Sequence, residues 1–468
     1  MLECVRHGQR FAVCHNSSST PPPRIEVVFD LGCVRLALGM LASRDMPFLS
    51  TLRSLTAVQR NTFAACFLGW TLDAFDFFLL TLCLKPIAAE FHVPIKQVTE
   101  AVFLTLAMRP IGALGFGLMA EKFGRRPTLM VNVIAFSVFE LASAFAPSLA
   151  IFLLCRALFG IAMGGEWGVG AALALETLPA KGRGFFSGLL QEGYVIGNLL
   201  AALLYGLLFP HLHGVGMFTN WRVLFMIGAL PAVLALYMRF KVEESPTWLA
   251  AQKQKLADGA LGKKTYEIKT VLSYLPSLLF LMVLMMAFTS FSHGTQDLYP
   301  RFLEKDHGLA PGLVSVVVIC SNFGALIGGI TCGALSEKLG RRKTIIYAAL
   351  MALPMIPLWG WSHSVVMLAV GGFLMQFMVQ GAWGVIPAHL NELSPGPVRA
   401  IFPAVAYQLG NLLSSRNIVF QEALAERHWG GNLKVILSGT VVVVALAVAL
   451  IAALGREKKG SELVVVEG

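Results

Sequence analysis

The chain has 468 residues, of which 56% are hydrophobic and only 14% are charged. Soluble domains carry about 25% charged residues, so this composition excludes an ordinary soluble globular protein. The formal net charge of +10 would suit a nucleic-acid-binding protein, but the basic residues fall in alternate loops instead of one patch. Cytoplasmic loops of membrane proteins are rich in Lys and Arg, so we expect a multi-pass protein of the cell membrane with both termini in the cytoplasm.

The first 55 residues differ from the rest of the chain. The segment HNSSSTPPPR at 15–24 is linker-like, and the apolar run after it is too short to span and is followed by nothing resembling a signal-peptide cleavage site. We predict that residues 1–55 form an N-terminal extension that is disordered or reflects a mis-assigned start, with Met46 as the alternative first residue.

Apolar runs then recur along the chain, each close to the length of about 20 residues that crosses a hydrocarbon core roughly 30 Å thick. Together they predict an all-α membrane protein with twelve transmembrane helices. The predicted spans are approximately 62–84, 98–119, 128–146, 149–171, 186–209, 221–240, 274–298, 311–335, 344–361, 364–388, 401–422 and 434–454.

Two separate segments of the chain repeat at one offset of 216 positions. GLMAEKFGRR at 117–126 returns as GALSEKLGRR at 333–342, and GEWGVGAALALETLPAKGRG at 165–184 returns as GAWGVIPAHLNELSPGPVRA at 381–400. A parallel repeat of this kind is typical of secondary transporters that bind their substrate between two bundles. We therefore predict two pseudo-symmetric six-helix bundles, 56–240 and 274–455, joined by a cytoplasmic linker at 241–273 and followed by a tail at 456–468.

The repeated loop resembles the signature loop of the major facilitator superfamily, with Glu where Asp is usual. The resemblance implies the two-bundle major facilitator fold, and loop residues that latch the cytoplasmic side and so control conformational gating. Arg156, in the fourth span, resembles the second motif of the superfamily and is assigned to gating as well. The loop residues concerned are Gly117, Glu121, Gly124 and Arg125, with their copies Gly333, Glu337, Gly340 and Arg341.

The first span contains two carboxylates, Asp73 and Asp76, three residues apart and so on one face of a helix. Like charges in a poorly hydrated cavity repel, so one of the two is expected to bind a proton readily. The pair therefore predicts a proton-coupling site. The alternative is that both side chains brace neighbouring helices.

Arg109 lies near the middle of the second span. A guanidinium that is always charged needs an anion there. It could pair permanently with Asp73, Asp76 or Glu166, or exchange such a partner for a substrate carboxylate bound through two parallel hydrogen bonds.

The seventh span ends in FTSFSHGTQDLYPRFL at 288–303, an unusually polar stretch for a membrane helix. A helical wheel groups Thr289, Ser292, His293, Gln296 and Asp297 on one side, which indicates a face lining an aqueous groove. His293 and Asp297 are four residues apart, so they can pair and change charge near neutral pH.

This stretch, with GWTLDAFDFF in the first span, resembles the sialate:proton symporter family, particularly its lactate and pyruvate permeases. The resemblance implies that His293 and Asp297 are needed for transport and that Arg109 takes part in substrate binding. The sequence departs from the family pattern at Thr289 and Arg301, where Asn and Thr are usual.

Other in-span polar residues carry weaker signals. Asn198 in the fifth span and Gln408 and Asn411 in the eleventh are predicted to line the cavity and contact substrate, as are His293 and Gln296. Gln376 and Gln380 are expected to form interhelical hydrogen bonds instead.

The preferred interpretation is a proton-coupled symporter of a small monocarboxylate of the lactate or pyruvate type, working by alternating access as a monomer, with the proton as coupling ion and no other cofactor. One alternative is a proton symporter of sialic acid or an aromatic acid. A second, of a different class, is a nutrient receptor that does not transport. Nothing in the sequence indicates an enzyme or a metal site.

Overall fold

The computed structural model describes residues 55–212, 219–230, 232–257 and 273–460, and these residues form helices and loops only. Most of the predicted N-terminal extension, the centre of the predicted linker and the last eight residues lie outside the described residues. In the first half of the chain the helices are α1 Ala57–Glu90, α2 Ile95–Phe123, α3 Arg125–Ala144, α4 Leu149–Thr177, α5 Arg183–Gln191, α6 Gly193–Leu208, α7 Asn220–Gly228, α8 Ala232–Lys241 and α9 Pro246–Ala257.

The second half of the chain repeats this order of helices. Its elements are α10 Leu275–Gln296, α11 Tyr299–Lys305, α12 Pro311–Leu339, α13 Arg341–Ala352, α14 Val365–Leu393, α15 Phe402–Ser414, α16 Asn417–Trp429 and α17 Leu433–Leu454. A short π-helical turn, Pro357–Trp361, extends the span that begins with α13.

Among the described residues, nine helical segments are long and apolar enough to cross a membrane, and they match nine of the twelve predicted spans. Each of the other three predicted spans is built from two consecutive shorter helices. These pairs are α5 with α6, α7 with α8, and α15 with α16. The apolar sequence predicts where the chain crosses, but not that these three crossings are interrupted.

Local sequence explains where several helices begin. Thr56 and Gln59 form a capping box at the start of α1, in which each side chain accepts a hydrogen bond from the backbone N–H of the other, at 3.2 and 3.0 Å. Ser148 accepts from the Ile151 N–H at the start of α4. Apolar side chains fill the interior, and many large ones, such as Leu154 and Val443, remain exposed on outward faces where lipid would cover them.

The loops at Gly124 and Gly340 turn the chain sharply between two helices, and we name the side of the molecule that carries them the signature-loop side. Both glycines have positive φ, 106° and 99°, a conformation that residues with a β-carbon adopt only with strain. The opposite side is called the far side.

A glutamate from elsewhere in the chain caps the helix that follows each of these glycines. Glu244, just after α8, accepts hydrogen bonds from the backbone N–H of Arg125 and Arg126 at the start of α3. Glu457, just after α17, does the same for Arg341 and Arg342 at the start of α13. A carboxylate at a helix N-terminus satisfies free N–H groups and interacts favourably with the helix dipole.

We expect the substitution Gly124→Ala to lower the thermal midpoint of the purified protein. A β-carbon there is strained at φ 106° and would collide with the Glu244 carboxylate, and backbone strain of this kind costs about 1–3 kcal/mol. Differential scanning fluorimetry in detergent measures the change.

Gly115→Ala is the matched control. Gly115 lies within α2, and a β-carbon there would meet no heavy atom within 4 Å. Replacing an interior helical glycine by alanine stabilises by about 0.5–1 kcal/mol, so this midpoint should hold or rise. A Gly124→Ala midpoint equal to that of Gly115→Ala would contradict the strain argument.

Candidate functional site

Arg109 lies on α2 in the interior of the molecule, with 3% of its surface exposed. Its backbone packs against Gly164 of α4, where a β-carbon would collide with the Arg109 carbonyl, so the two helices meet closely at this point. The guanidinium atoms Nε and Nη2 are buried and have no hydrogen-bond partner among the described residues. Within the described residues no carboxylate forms an ion pair with Arg109.

The charged and polar neighbours of Arg109 come from both halves of the chain. It interacts electrostatically with Asp73 on α1, Tyr194 on α6 and Tyr407 on α15. Tyr194 in turn interacts with Asp297, which follows α10. The structure thus brings three predicted residues, Arg109, Asp73 and Asp297, into one connected group at the boundary between the halves.

Asp73 and Asp76 are both fully buried, and in the part of the chain that the structure describes none of their carboxylate oxygens has a hydrogen-bond partner. Although the two residues are three apart, they face different surroundings. Asp73 interacts with Arg109 and Glu166, whereas the main electrostatic partners of Asp76 are Glu140 and Arg156. The two carboxylates therefore belong to adjoining clusters, each with its own arginine.

Arg156 forms an ion pair with Glu140 at 2.8 Å, and both side chains are completely buried. The guanidinium also lies 3.9 Å from the centroid of the Phe159 ring. These contacts all lie within the first half, and Arg156 also interacts electrostatically with Asp76. Its predicted part in gating stays a prediction. The sequence predicts no role for Glu140, because its partner Arg156 lies on a different helix.

A group of stacked aromatic rings lies next to Arg109. Tyr407 stacks on Trp167 with ring centroids 4.4 Å apart, and it meets Trp70 edge-on at 6.3 Å. Trp70 stacks on Tyr194 at 5.6 Å, and Trp383 contacts the edge of Tyr407 at 5.8 Å. These rings, which we call the aromatic cluster, join both halves. The sequence does not predict this cluster, because aromatic residues within an apolar run do not stand out as functional residues.

The predicted pair at the end of α10 is present. His293 Nδ1 lies 2.9 Å from Asp297 Oδ2, and the two side chains are 40% and 23% exposed. Gln296 donates to Ser292 Oγ on the same helix. Ser292 and Thr295 accept hydrogen bonds from Gln380 and Gln376 of α14, at 2.8 and 3.0 Å, which confirms the interhelical role expected of the two glutamines.

The remaining predicted cavity residues occupy varied positions. Gln408 is buried on α15, and neither its amide oxygen nor its nitrogen has a hydrogen-bond partner. Asn411, half-buried, accepts from Thr289 at 3.0 Å and lies beside the Tyr407 hydroxyl. Asn198 is half-buried on α6, and no described contact joins it to Arg109.

The first signature loop links the two halves on its side of the molecule. Arg125 binds Glu121 at 3.0 Å and lies 3.3 Å from Glu176. Glu121 in turn accepts a hydrogen bond at 3.1 Å from the backbone N–H of Ala400 in the second half. Gly117 packs against the same segment, at Ile401.

The second signature loop makes the equivalent contacts, from the second half of the chain to the first. Arg341 binds Glu392 through two hydrogen bonds of 3.0 and 3.1 Å and binds Glu337 at 3.0 Å. Glu337 accepts a hydrogen bond from the backbone N–H of Gly184 in the first half, and Gly333 packs against Gly184.

Ser187 on α5 completes this contact between the halves. Its hydroxyl donates to the Gly384 carbonyl at 2.8 Å and accepts from the Ala388 N–H at 2.9 Å. Helix α5 packs on α12 and α14, whereas its continuation α6 packs mainly on α1. The signature-loop side is therefore closed by polar contacts between the halves.

Comparison with known proteins identifies the family. The family described as sugar (and other) transporter matches residues 62–271 and 282–419 of this chain. A carboxylic acid transporter protein homolog of Saccharomyces cerevisiae is 31% identical over 399 residues, which is 81% of this chain but only 63% of the yeast protein. The sialic acid transporter NanX of Escherichia coli is 27% identical over 358 residues, covering 75% of this chain and 84% of that one.

Solved structures establish the fold. The structure of the major facilitator superfamily proton:xylose symporter XylE aligns with a TM-score of 0.68 at 19% identity, over 87% of this chain and 98% of that chain. The predicted fold class, an all-α membrane protein with the major facilitator fold, is confirmed. On the evidence of its matched residues, the chain belongs to the sugar (and other) transporter family, a family of membrane transporters, and it has the major facilitator fold.

Proposed function

We propose that this protein is a secondary transporter that carries a small monocarboxylate together with a proton. Arg109 carries the proposal, because its buried guanidinium lies at the boundary between the halves and, within the part of the chain that the structure describes, forms no ion pair and has two nitrogens without hydrogen-bond partners. A buried charge is costly unless an anion meets it. The planar fork of the guanidinium matches a carboxylate, which it can hold through two parallel hydrogen bonds.

Asp73 supplies the coupling in this proposal. Its carboxyl is an acidic group that interacts electrostatically with Arg109. An ionised Asp73 competes with a substrate carboxylate for the same cation, whereas a protonated Asp73 leaves Arg109 free to bind it. Proton loading and anion binding therefore favour each other, as symport requires.

Two halves of like architecture would carry the bound pair across by alternating access. We propose that 56–240 and 274–455 are the moving bundles, that the signature-loop side faces the cytoplasm together with both termini, and that the protein acts as a monomer in the cell membrane. The closed signature-loop contacts and the partly exposed His293 and Asp297 support a state accessible from the far side.

Lactate and pyruvate are the first candidate substrates, because His293, Asp297 and Arg109 are the residues that resemble the permeases of those acids. The aromatic cluster favours a second candidate, a planar aromatic acid, since stacked rings such as Trp167 and Tyr407 lie beside Arg109 and aromatic rings pack favourably on one another. The relatives named for carboxylic acid and sialic acid transport support a carboxylate without distinguishing these two.

We predict that Arg109→Ala abolishes substrate exchange, because the carboxylate then lacks its cation. The measurement is counterflow of labelled lactate into proteoliposomes, competed by pyruvate, sialic acid and benzoate. Arg109→Lys keeps the charge but loses the fork, so it should retain weak exchange. Arg416→Ala removes an exposed arginine and serves as control. Unchanged counterflow in purified, folded Arg109→Ala would end the proposal.

We predict that Asp73→Asn separates exchange from accumulation. With the interior one pH unit more alkaline, each coupled proton supplies about 1.4 kcal/mol, or roughly tenfold accumulation. The parent protein should reach that ratio, while Asp73→Asn should still catalyse counterflow but accumulate no substrate. Asp76→Asn shows whether the second cluster contributes. Full accumulation by Asp73→Asn would assign coupling to another group.

We predict that Glu337→Gln opens the signature-loop side. The substitution weakens the contacts that Glu337 makes with Arg341 and with the Gly184 N–H. Nitroxide labels on cysteines replacing the exposed Lys181 and Lys338, after substitution of the native cysteines, report the separation of the halves by pulsed electron paramagnetic resonance. Longer distances are expected.

Glu243→Gln is the control for this experiment, because it removes an exposed carboxylate from the same side of the molecule. Its distance distribution should match that of the labelled parent. If Glu337→Gln also matches the parent, the contact does not latch the halves.

A further inference from the structure

Glu192 lies where the fifth predicted span is interrupted. It lies between the last residue of α5 and the first residue of α6, and 1% of its surface is exposed. Its carboxylate points across the boundary between the halves onto Gly329 of α12, where a β-carbon would collide with Oε1. The carboxyl is thus part of the contact that closes the signature-loop side.

This carboxyl is buried without a compensating partner. Oε2 makes no hydrogen bond, and no cation or other charged group among the described residues acts electrostatically on Glu192. The helices that pack on α5 carry other titratable residues, and none of the interactions described for these residues is with Glu192. They include Asp73 on α1, Glu166 on α4, Tyr194 on α6, Cys332 on α12 and His389 on α14, with Arg183 on α5 itself.

An ionised carboxylate in such surroundings would carry a large desolvation cost that no ion pair or hydrogen bond offsets. The neutral acid avoids that cost, so the closed arrangement favours a bound proton. If the halves separate on the signature-loop side, the contact between Glu192 and Gly329 breaks and water can reach the carboxyl. The ionised form is then favoured, and the proton passes to that water.

The internal repeat gives an independent indication that a neutral group suits this position. Gln408 is the residue 216 positions later, in α15. Its amide is likewise buried and without a hydrogen-bond partner. The second half therefore holds an uncharged side chain of the same shape where the first half holds an acid.

We propose that Glu192 is a further proton-binding site of this transporter, occupied while the signature-loop side is closed and emptied when that side opens. It is distinct from Asp73, because it lies in the contact between the halves and has no link to Arg109. The proposal rests on the proposed alternation of the two halves, but not on the identity of the substrate.

The test measures the pH dependence of closure without any substrate. The Lys181 and Lys338 label pair is followed from pH 5 to pH 8 in lipid nanodiscs, in sodium-free buffer so that protons are the only ion varied. In the parent protein the long-distance population should grow as pH rises, since Glu192 loses its proton. For one proton the ratio of the two populations changes by up to about tenfold per pH unit.

Glu192→Gln should remain closed across the whole range, because the amide imitates the protonated acid. Glu192→Asp should restore a pH dependence with a shifted midpoint. Gly329→Ala is a second variant, whose β-carbon displaces the carboxyl, and it should populate the long distance even at pH 5. Glu243→Gln should behave as the parent protein does.

A parental pH dependence in folded Glu192→Gln would overturn the proposal, as would a closed Gly329→Ala variant. No substrate carboxylate is present in this measurement. A failure of lactate counterflow would therefore refute the proposed substrate but not the proposed proton site at Glu192. Conversely, a pH-independent parent protein would refute the Glu192 site while leaving carboxylate exchange intact.

Discussion

The described structure is organised around one fixed positive charge held inside a membrane domain without a permanent counter-ion. Arg109 is placed by the close meeting of α2 and α4, and the Asp73 carboxyl interacts with it electrostatically without a hydrogen bond. A cation fully paired by the protein would have no capacity for a ligand. A cation with no acid nearby would be too costly to bury. The arrangement lies between these limits, where an outside anion can complete the site.

A second arginine shows the contrast. Arg156 has its own buried partner at 2.8 Å and an aromatic ring against its face. Its ion pair with Glu140 distinguishes it from Arg109, although Nε and Nη2 of both side chains have no hydrogen-bond partner among the described residues. Arg156 is therefore suited to hold helices together and to influence Asp76. Arg109 on α2 and Arg156 on α4 are both fully or almost fully buried, but their partners differ. These partners decide which of the two arginines is available to bind an anion.

The sequence alone could predict what is local or repeated. The signature loops stand out because Gly, Glu and Arg recur at one offset, and His293 with Asp297 follows from their four-residue spacing on one helix. What depends on other helices could not be predicted. Spacing puts Asp73 and Asp76 on one face, but the residues facing each of them come from α2, α3 and α4. The aromatic cluster likewise becomes visible only when the halves are in contact.

The cap on α13 has a practical consequence for handling this protein. Glu457 lies beyond the last membrane helix, in what composition alone suggests is a disposable tail, yet it binds the backbone at the start of α13 just as Glu244 binds that of α3. A purification tag or reporter fused directly after Leu454 would replace Glu457 and remove this cap from α13. Fusion partners belong beyond residue 460, or at the other terminus.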